Sequence, residues 1–134
     1  MYLIDTNIIL EFLLGQDKAD ECINLIESFS HKKIPIFISR FGLYTIEIIM
    51  LINKKQESLA EFLNFLMSYS NIRILSTDAN EDKEIIKISD KHKLDFDDAL
   101  HYYLCTRYNL KLISFDKHFD KTDIVRVEPK DLLI

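Results

Sequence analysis

Short apolar runs alternating with helical patterns leave this chain few ways to fold. "YLI" at 2–4, "IPIFIS" at 34–39, "IRIL" at 72–75 and "KLISF" at 111–115 read as strands, with "IVRV" at 124–127 a candidate fifth. Between the first two, Ile8, Ile9, Phe12 and Leu13 share one side of a helix that ends at Gly15, and Ala19, Cys22, Ile23, Ile26 and Phe29 recur at helical spacing. Residues 41–53 form an almost wholly apolar helical stretch, and Leu59, Phe62, Leu63, Leu66 and Tyr69 mark the next helix. Asp78, with Glu81 three residues on, predicts a capping box that opens a helix through about Lys91. Strands that are apolar throughout suit a sheet covered on both faces. Two Gly and two Pro are too few for a turn-rich all-β chain. The expectation is one domain over 1–134, a three-layer α/β/α sandwich around a central, mainly parallel sheet of four or five strands.

The formal net charge of -5 argues against a broad basic face for nucleic acid. It leaves room for a nucleic-acid enzyme, because an acidic metal site lowers the net charge while local Lys and Arg still meet phosphates. Cys22 and Cys105 have no metal-type spacing and read as reduced, buried thiols. The N-terminal "MYLIDTN" lacks the basic start of a signal peptide. The longest apolar run, at 43–52, is too short to span a bilayer and contains Glu47. A cytoplasmic protein without membrane attachment is the expectation.

Functional groups in open parallel sheets gather beyond the carboxyl ends of the strands. Asp5 follows the first strand, and Asp116 follows the fourth. Thr6 stands beside Asp5, and Ser114 two residues before Asp116. Glu47 interrupts an apolar helix, and "DFDDAL" places Asp95, Asp97 and Asp98 where another helix begins. Each acid also has a plain role. Asp5 can cap a helix, Asp116 can make a turn, and Glu47 can sit on a solvent-facing edge. Asp95 can be the N-cap, its side chain folded onto the first turn, with Asp97 facing solvent and Asp98 turned to the stripe of His101, Tyr102 and Cys105. Taken together, four acids on separate segments can converge on one pocket. Such a pocket needs cations, and hard oxygen ligands suit Mg²⁺ or Mn²⁺, the ions that serve phosphodiester hydrolysis.

The chain resembles the PIN-domain family, which includes the VapC-like toxin ribonucleases. "YLIDTNIIL", "DFDDALHYYL" and "LISFDKHFD" carry the resemblance, in that order over nearly the whole chain. It implies metal ligands Asp5, Asp98 and Asp116, with Thr6, Asn7 and Ser114 orienting carboxylates or water. It also implies a Glu on the helix after the second strand, preceded by a Ser at the strand end. Glu47 and Ser39 fill those places at a longer spacing than is usual. The implied activity is metal-dependent cleavage of RNA that leaves a 5′-phosphate and a 3′-hydroxyl, by a homodimer silenced by an antitoxin protein.

Lys117 and His118, directly after Asp116, are the best candidates to touch a substrate phosphate, and His101 reads as a packed, hydrogen-bonded side chain. A catalytically weak or inactive PIN-like module that binds RNA or a protein is the alternative. A haloacid-dehalogenase-type phosphatase ranks low, because Asn7 stands where that class needs a second Asp.

Overall fold

Five strands form one sheet in the order β3-β2-β1-β4-β5, and every neighbouring pair is parallel. They are β1 (Tyr2–Ile4), β2 (Ile36–Ser39), β3 (Ile72–Leu75), β4 (Lys111–Ile113) and β5 (Arg126–Val127) in a computed structural model that describes residues 1–133. The mainly parallel sheet expected of the sequence is thus parallel throughout. Parallel neighbours need crossover connections, and helices supply them here. The helices are α1 (Thr6–Leu13), α2 (Ala19–Lys32), α3 (Arg40–Ile52), α4 (Gln56–Ser68), α5 (Ala79–His92), α6 (Phe96–Tyr108) and α7 (Pro129–Leu132), with a 3-10 turn at Lys117–Lys121.

The pleat sends neighbouring side chains of a strand to opposite faces, and this divides the core in two. Ile4 of β1 joins Ile36 and Ile38 of β2 under α1, α2, α3 and α4, whose buried residues include Ile8, Leu25, Ile46 and Phe62. Leu3 of β1 joins Leu112 of β4 under α5, α6 and the 3-10 turn, with Ile85, Leu100, Leu104 and Phe119. These are the three layers.

Local signals set the helix ends. The capping box forms as expected: the Asp78 carboxylate accepts the Glu81 N–H at 2.8 Å, and the Glu81 carboxylate accepts the Asp78 N–H at 3.1 Å. With Gly scarce, Lys33, Lys93 and Asn109 end helices in the left-handed region, at φ 55, 55 and 54. That conformation costs a non-glycine residue roughly 1–2 kcal/mol. Lys93 turns the chain tightly from α5 into α6, bringing the acidic first turn of α6 to the sheet edge.

Both cysteines are buried and free of disulfides, and burial pushes each thiol up to about 12. Among the described residues, no helix is long and apolar enough to cross a membrane.

Candidate active site

Strand order makes the crevice. From β1 the chain builds outward to β2 and β3 on one side, while β4 and β5 add to the other. The order reverses between β1 and β4, and ligands of open parallel sheets occupy the crevice beyond the carboxyl ends at such a point. Asp5 leaves β1 there, and Ser114, Phe115 and Asp116 leave β4.

Asp5 holds the N-cap position of α1, yet its side chain makes no cap hydrogen bond. The carboxylate instead accepts the Ser114 hydroxyl at 2.5 Å and is 7% exposed. Ser114 is fully buried. Its Oγ also accepts the Asp116 N–H at 2.9 Å and the Asn7 side-chain N–H at 3.3 Å. Asn7 turns its carbonyl oxygen to the Phe115 N–H at 3.4 Å. One hydroxyl therefore sets the spacing of two acids from different strands. The Ser114 carbonyl is fixed in turn by the Arg126 guanidinium at 2.9 Å, which Asp120 holds through two hydrogen bonds of 2.8 and 3.1 Å. We predict that Ser114→Ala costs about 1–3 kcal/mol, because it strips a partner from a buried carboxylate and a backbone N–H. Urea unfolding checks this, and a loss within about 0.5 kcal/mol, the range of neutral surface changes, would refute it.

Asp116 has the turn role and keeps its place in the crevice. Its Oδ1 accepts the His118 backbone N–H at 2.9 Å, capping the 3-10 turn, and lies 3.0 Å from His118 Nδ1.

Asp98, third residue of α6, is half-buried. Its carboxyl is pushed up to about 7, first by burial and then by the charges of Asp97, Asp116 and Asp5, with His101 opposing them. The charges of Asp5 and Asp116 thus both reach Asp98. Ligand atoms of Asp98, Asp116 and His118 lie within 4.8 Å of one another, and so do those of Asp95, Asp97 and Asp98. Asp98 belongs to both sets.

One expectation needs correction. Asp95 is the N-cap of α6 by backbone, but its side chain makes no cap hydrogen bond. Its carboxylate stands instead among those of Asp97 and Asp98. Glu47, like Asp5, is in neither of the two convergent groups of ligand atoms, and its direction follows from helical phase. Gly42 marks the flank of α3 that faces the site, since a Cβ there would stand 2.8 Å from both the Ser39 and Thr6 hydroxyls. At about 100° per residue, five residues carry Glu47 roughly 140° round the helix from Gly42. Glu47 is half-buried on that other flank.

His101 is packed and bonded, as the sequence suggested, at 1% exposure. Its Nδ1 lies 2.7 Å from the Asp97 carbonyl, which can only accept, so Nδ1 carries the proton. Nε2 then accepts the Ser39 hydroxyl at 3.3 Å, while Ser39 Oγ accepts the Gly42 N–H at 2.9 Å and caps α3. The acidic turn of α6 is thereby tied to the end of β2. Sequence reasoning did not foresee this tie, the Arg126 anchor or the closeness of His118 to Asp98. A Ser at a strand end was the one signal available for the first.

A PIN domain family model matches residues 2–125 of the chain. Among solved structures, the chain is similar to VapC20 of Mycobacterium tuberculosis, described as a sarcin-ricin loop cleaving toxin, with a TM-score of 0.80 and 16% identity over 96% of this chain and 100% of that one. It is also similar to a chain of a toxin-antitoxin complex from Klebsiella pneumoniae, with a TM-score of 0.70 and 21% identity over 96% and 98%. A chain of VapBC2 from Rickettsia felis, bound to a DNA fragment from its promoter, gives a TM-score of 0.72 and 19% identity over 95% and 97%. No curated protein sequence matches the chain.

Proposed function

The chain belongs to the PIN-domain family, and on that premise we propose that it is a metal-dependent endoribonuclease, the toxin of a cytoplasmic toxin–antitoxin pair. The observation that carries this reading is the concentration of negative charge at the switch point of the sheet. Burial first, and then the charges of Asp97, Asp116 and Asp5, push the Asp98 carboxyl up to about 7. The donor set fits a hard divalent cation, since carboxylate oxygens are what Mg²⁺ and Mn²⁺ take. Asp5, Asp98 and Asp116 would hold it. When bound, such an ion activates water, neutralises phosphate and steadies the leaving oxygen.

The residues of the chain do the positioning. Ser114 and Asn7 fix Asp5 against the Asp116 backbone. His101 fixes the turn that carries Asp98. Exposed Lys117, next to Asp116 in the chain, would meet a neighbouring phosphate of the RNA. Water adds to phosphorus, the bond to the 3′ oxygen breaks, and a 5′-phosphate and a 3′-hydroxyl result. An RNA substrate and an antitoxin partner draw support from the structural neighbours, an RNA-loop-cleaving toxin and toxin-antitoxin complexes.

Calorimetric titration with Mn²⁺ tests the reading. Wild type should bind, and Asp5→Asn should bind about tenfold more weakly, a change of about 1.4 kcal/mol. Equal binding by the two would place the site elsewhere. The alternative, a catalytically weak or inactive PIN-like module, draws on the long spacing between Ser39 and Glu47 and on the acidic net charge, and it predicts negligible Mn²⁺ binding by wild type.

The same reading makes the protein a homodimer. Phe41, Tyr44, Ile48 and Leu51 are exposed along one stripe of α3, at steps of three and four residues. Light scattering at roughly tens of micromolar should give twice the chain mass. A monomer mass there would count against α3 as a self-association face.

A further inference from the structure

We propose that His118 gives an imidazole nitrogen to the metal site beside the carboxylates of Asp98 and Asp116, and that this nitrogen turns the site's preference from Mg²⁺ towards divalent transition metals. The inference rests on the metal-nuclease reading above.

The placement is built by the chain. Asp116 and His118 are the N-cap and second residue of the 3-10 turn. The cap hydrogen bond from the His118 N–H to Asp116 Oδ1 curls the backbone so that the two side chains converge. Phe119, the next residue, is fully buried and anchors the turn from below. His118 Nδ1 then lies 3.0 Å from Asp116 Oδ1. Two adjacent ligands of an octahedral ion, with bonds of about 2.1 Å, stand about 3.0 Å apart. Asp98 completes the set, its ligand atom within 4.8 Å of the other two. The imidazole is exposed, as suits a site that must admit a substrate phosphate.

Chemistry sets the preference. Mg²⁺ demands oxygen ligands and keeps several waters, so an imidazole adds little to its binding. Transition metals gain from nitrogen, which is why imidazole is a common ligand for them. A plainer role for His118 is a hydrogen bond that steadies Asp116 and never meets the ion. The two roles differ in whether a nitrogen nucleus couples to the bound metal.

The test is pulsed electron paramagnetic resonance on the full-length protein with substoichiometric Mn²⁺. Wild type is expected to show ¹⁴N modulation from one directly bound nitrogen. His118→Ala should still bind Mn²⁺ but lose the modulation, and calorimetry should show its Mn²⁺-over-Mg²⁺ preference reduced about tenfold. The side chain is exposed, and an unchanged melting temperature confirms that the variant folds. Bound Mn²⁺ without nitrogen coupling in wild type, or coupling that survives in His118→Ala, overturns the role of His118 and leaves the metal-nuclease reading standing. Failure of wild type to bind Mn²⁺ at all overturns both.

Discussion

Asp98→Asn is expected to lower RNA cleavage by about three orders of magnitude in kcat/KM, about 4 kcal/mol of transition-state stabilisation. It is also expected to raise the melting temperature in EDTA at pH 8. The opposite signs follow from one feature. The carboxyl is half-buried among other carboxylates, an arrangement that favours a bound cation and penalises the metal-free fold. In the unfolded chain an Asp titrates near 3.9, whereas in the fold Asp98 holds its proton up to about 7. Between those values the folded state binds the extra proton, so stability falls as pH rises through about 4 to 7, and the whole cost is present above that window. Asn copies the neutral form at every pH. Its advantage in EDTA should therefore be near zero at pH 4, grow through the window and level off above 7. Saturating Mn²⁺ should reverse the order, because binding to the folded state alone stabilises wild type by mass action. Melting curves in EDTA at pH 5 and pH 8, with a labelled RNA pool for cleavage, check both halves. A variant that cleaves like wild type would remove Asp98 from the chemistry. A variant no more stable at pH 8 than at pH 5, relative to wild type, would mean that the carboxyl is well solvated.

The fold was largely legible because it rests on patterns carried by many residues at once. Short apolar runs and helical periodicities each draw on several side chains, so β1 to β4 and α1 to α6 fall where the sequence puts them, while the four-residue α7 and the 3-10 turn are too short to show such a pattern. The carboxyl ends of β1 and β4 follow from the alternation, and with them the places of Asp5 and Asp116. What stayed hidden depends on single side chains. Asp95 has the backbone of a cap, but whether its carboxylate bonds the first turn depends on a rotamer set by the neighbouring charges. Glu47 lies in the helix where the resemblance puts a fourth acid, and the way it faces depends on helical phase, since each residue turns the side chain by about 100°. The Ser39–His101 hydrogen bond joins residues 62 apart, and Asp5–Ser114 joins residues 109 apart, where only the family resemblance pointed to Ser114. Local patterns carry no information at such separations. Topology alone brings those pairs together.

The largest stability effect should come from a residue with no polar chemistry. Phe119→Ala is expected to cost about 3–5 kcal/mol, the range for emptying a fully buried aromatic site. The ring lies wholly within the core between the sheet and α5 and α6. It is also what holds the 3-10 turn, since five residues cannot form a stable helical turn in water unaided. Hydrogen bonds add to the hold: the Phe119 carbonyl accepts the Thr122 N–H at 3.0 Å and the Thr122 hydroxyl at 2.5 Å. At the other end the Asp116 carboxylate caps the turn. Loss of the ring should therefore loosen the segment that places Asp116 and His118, and Mn²⁺ affinity should fall together with stability, measured on protein still folded at low temperature. Phe119→Leu keeps most of the apolar volume and should cost about 1–1.5 kcal/mol while retaining Mn²⁺ binding. Urea unfolding and calorimetry on both variants separate the two consequences. A loss below about 1 kcal/mol in Phe119→Ala would contradict the burial of the ring. A large loss of stability with unchanged Mn²⁺ affinity would mean that the cap of Asp116 and the Arg126–Asp120 pair hold the turn without the ring beneath it.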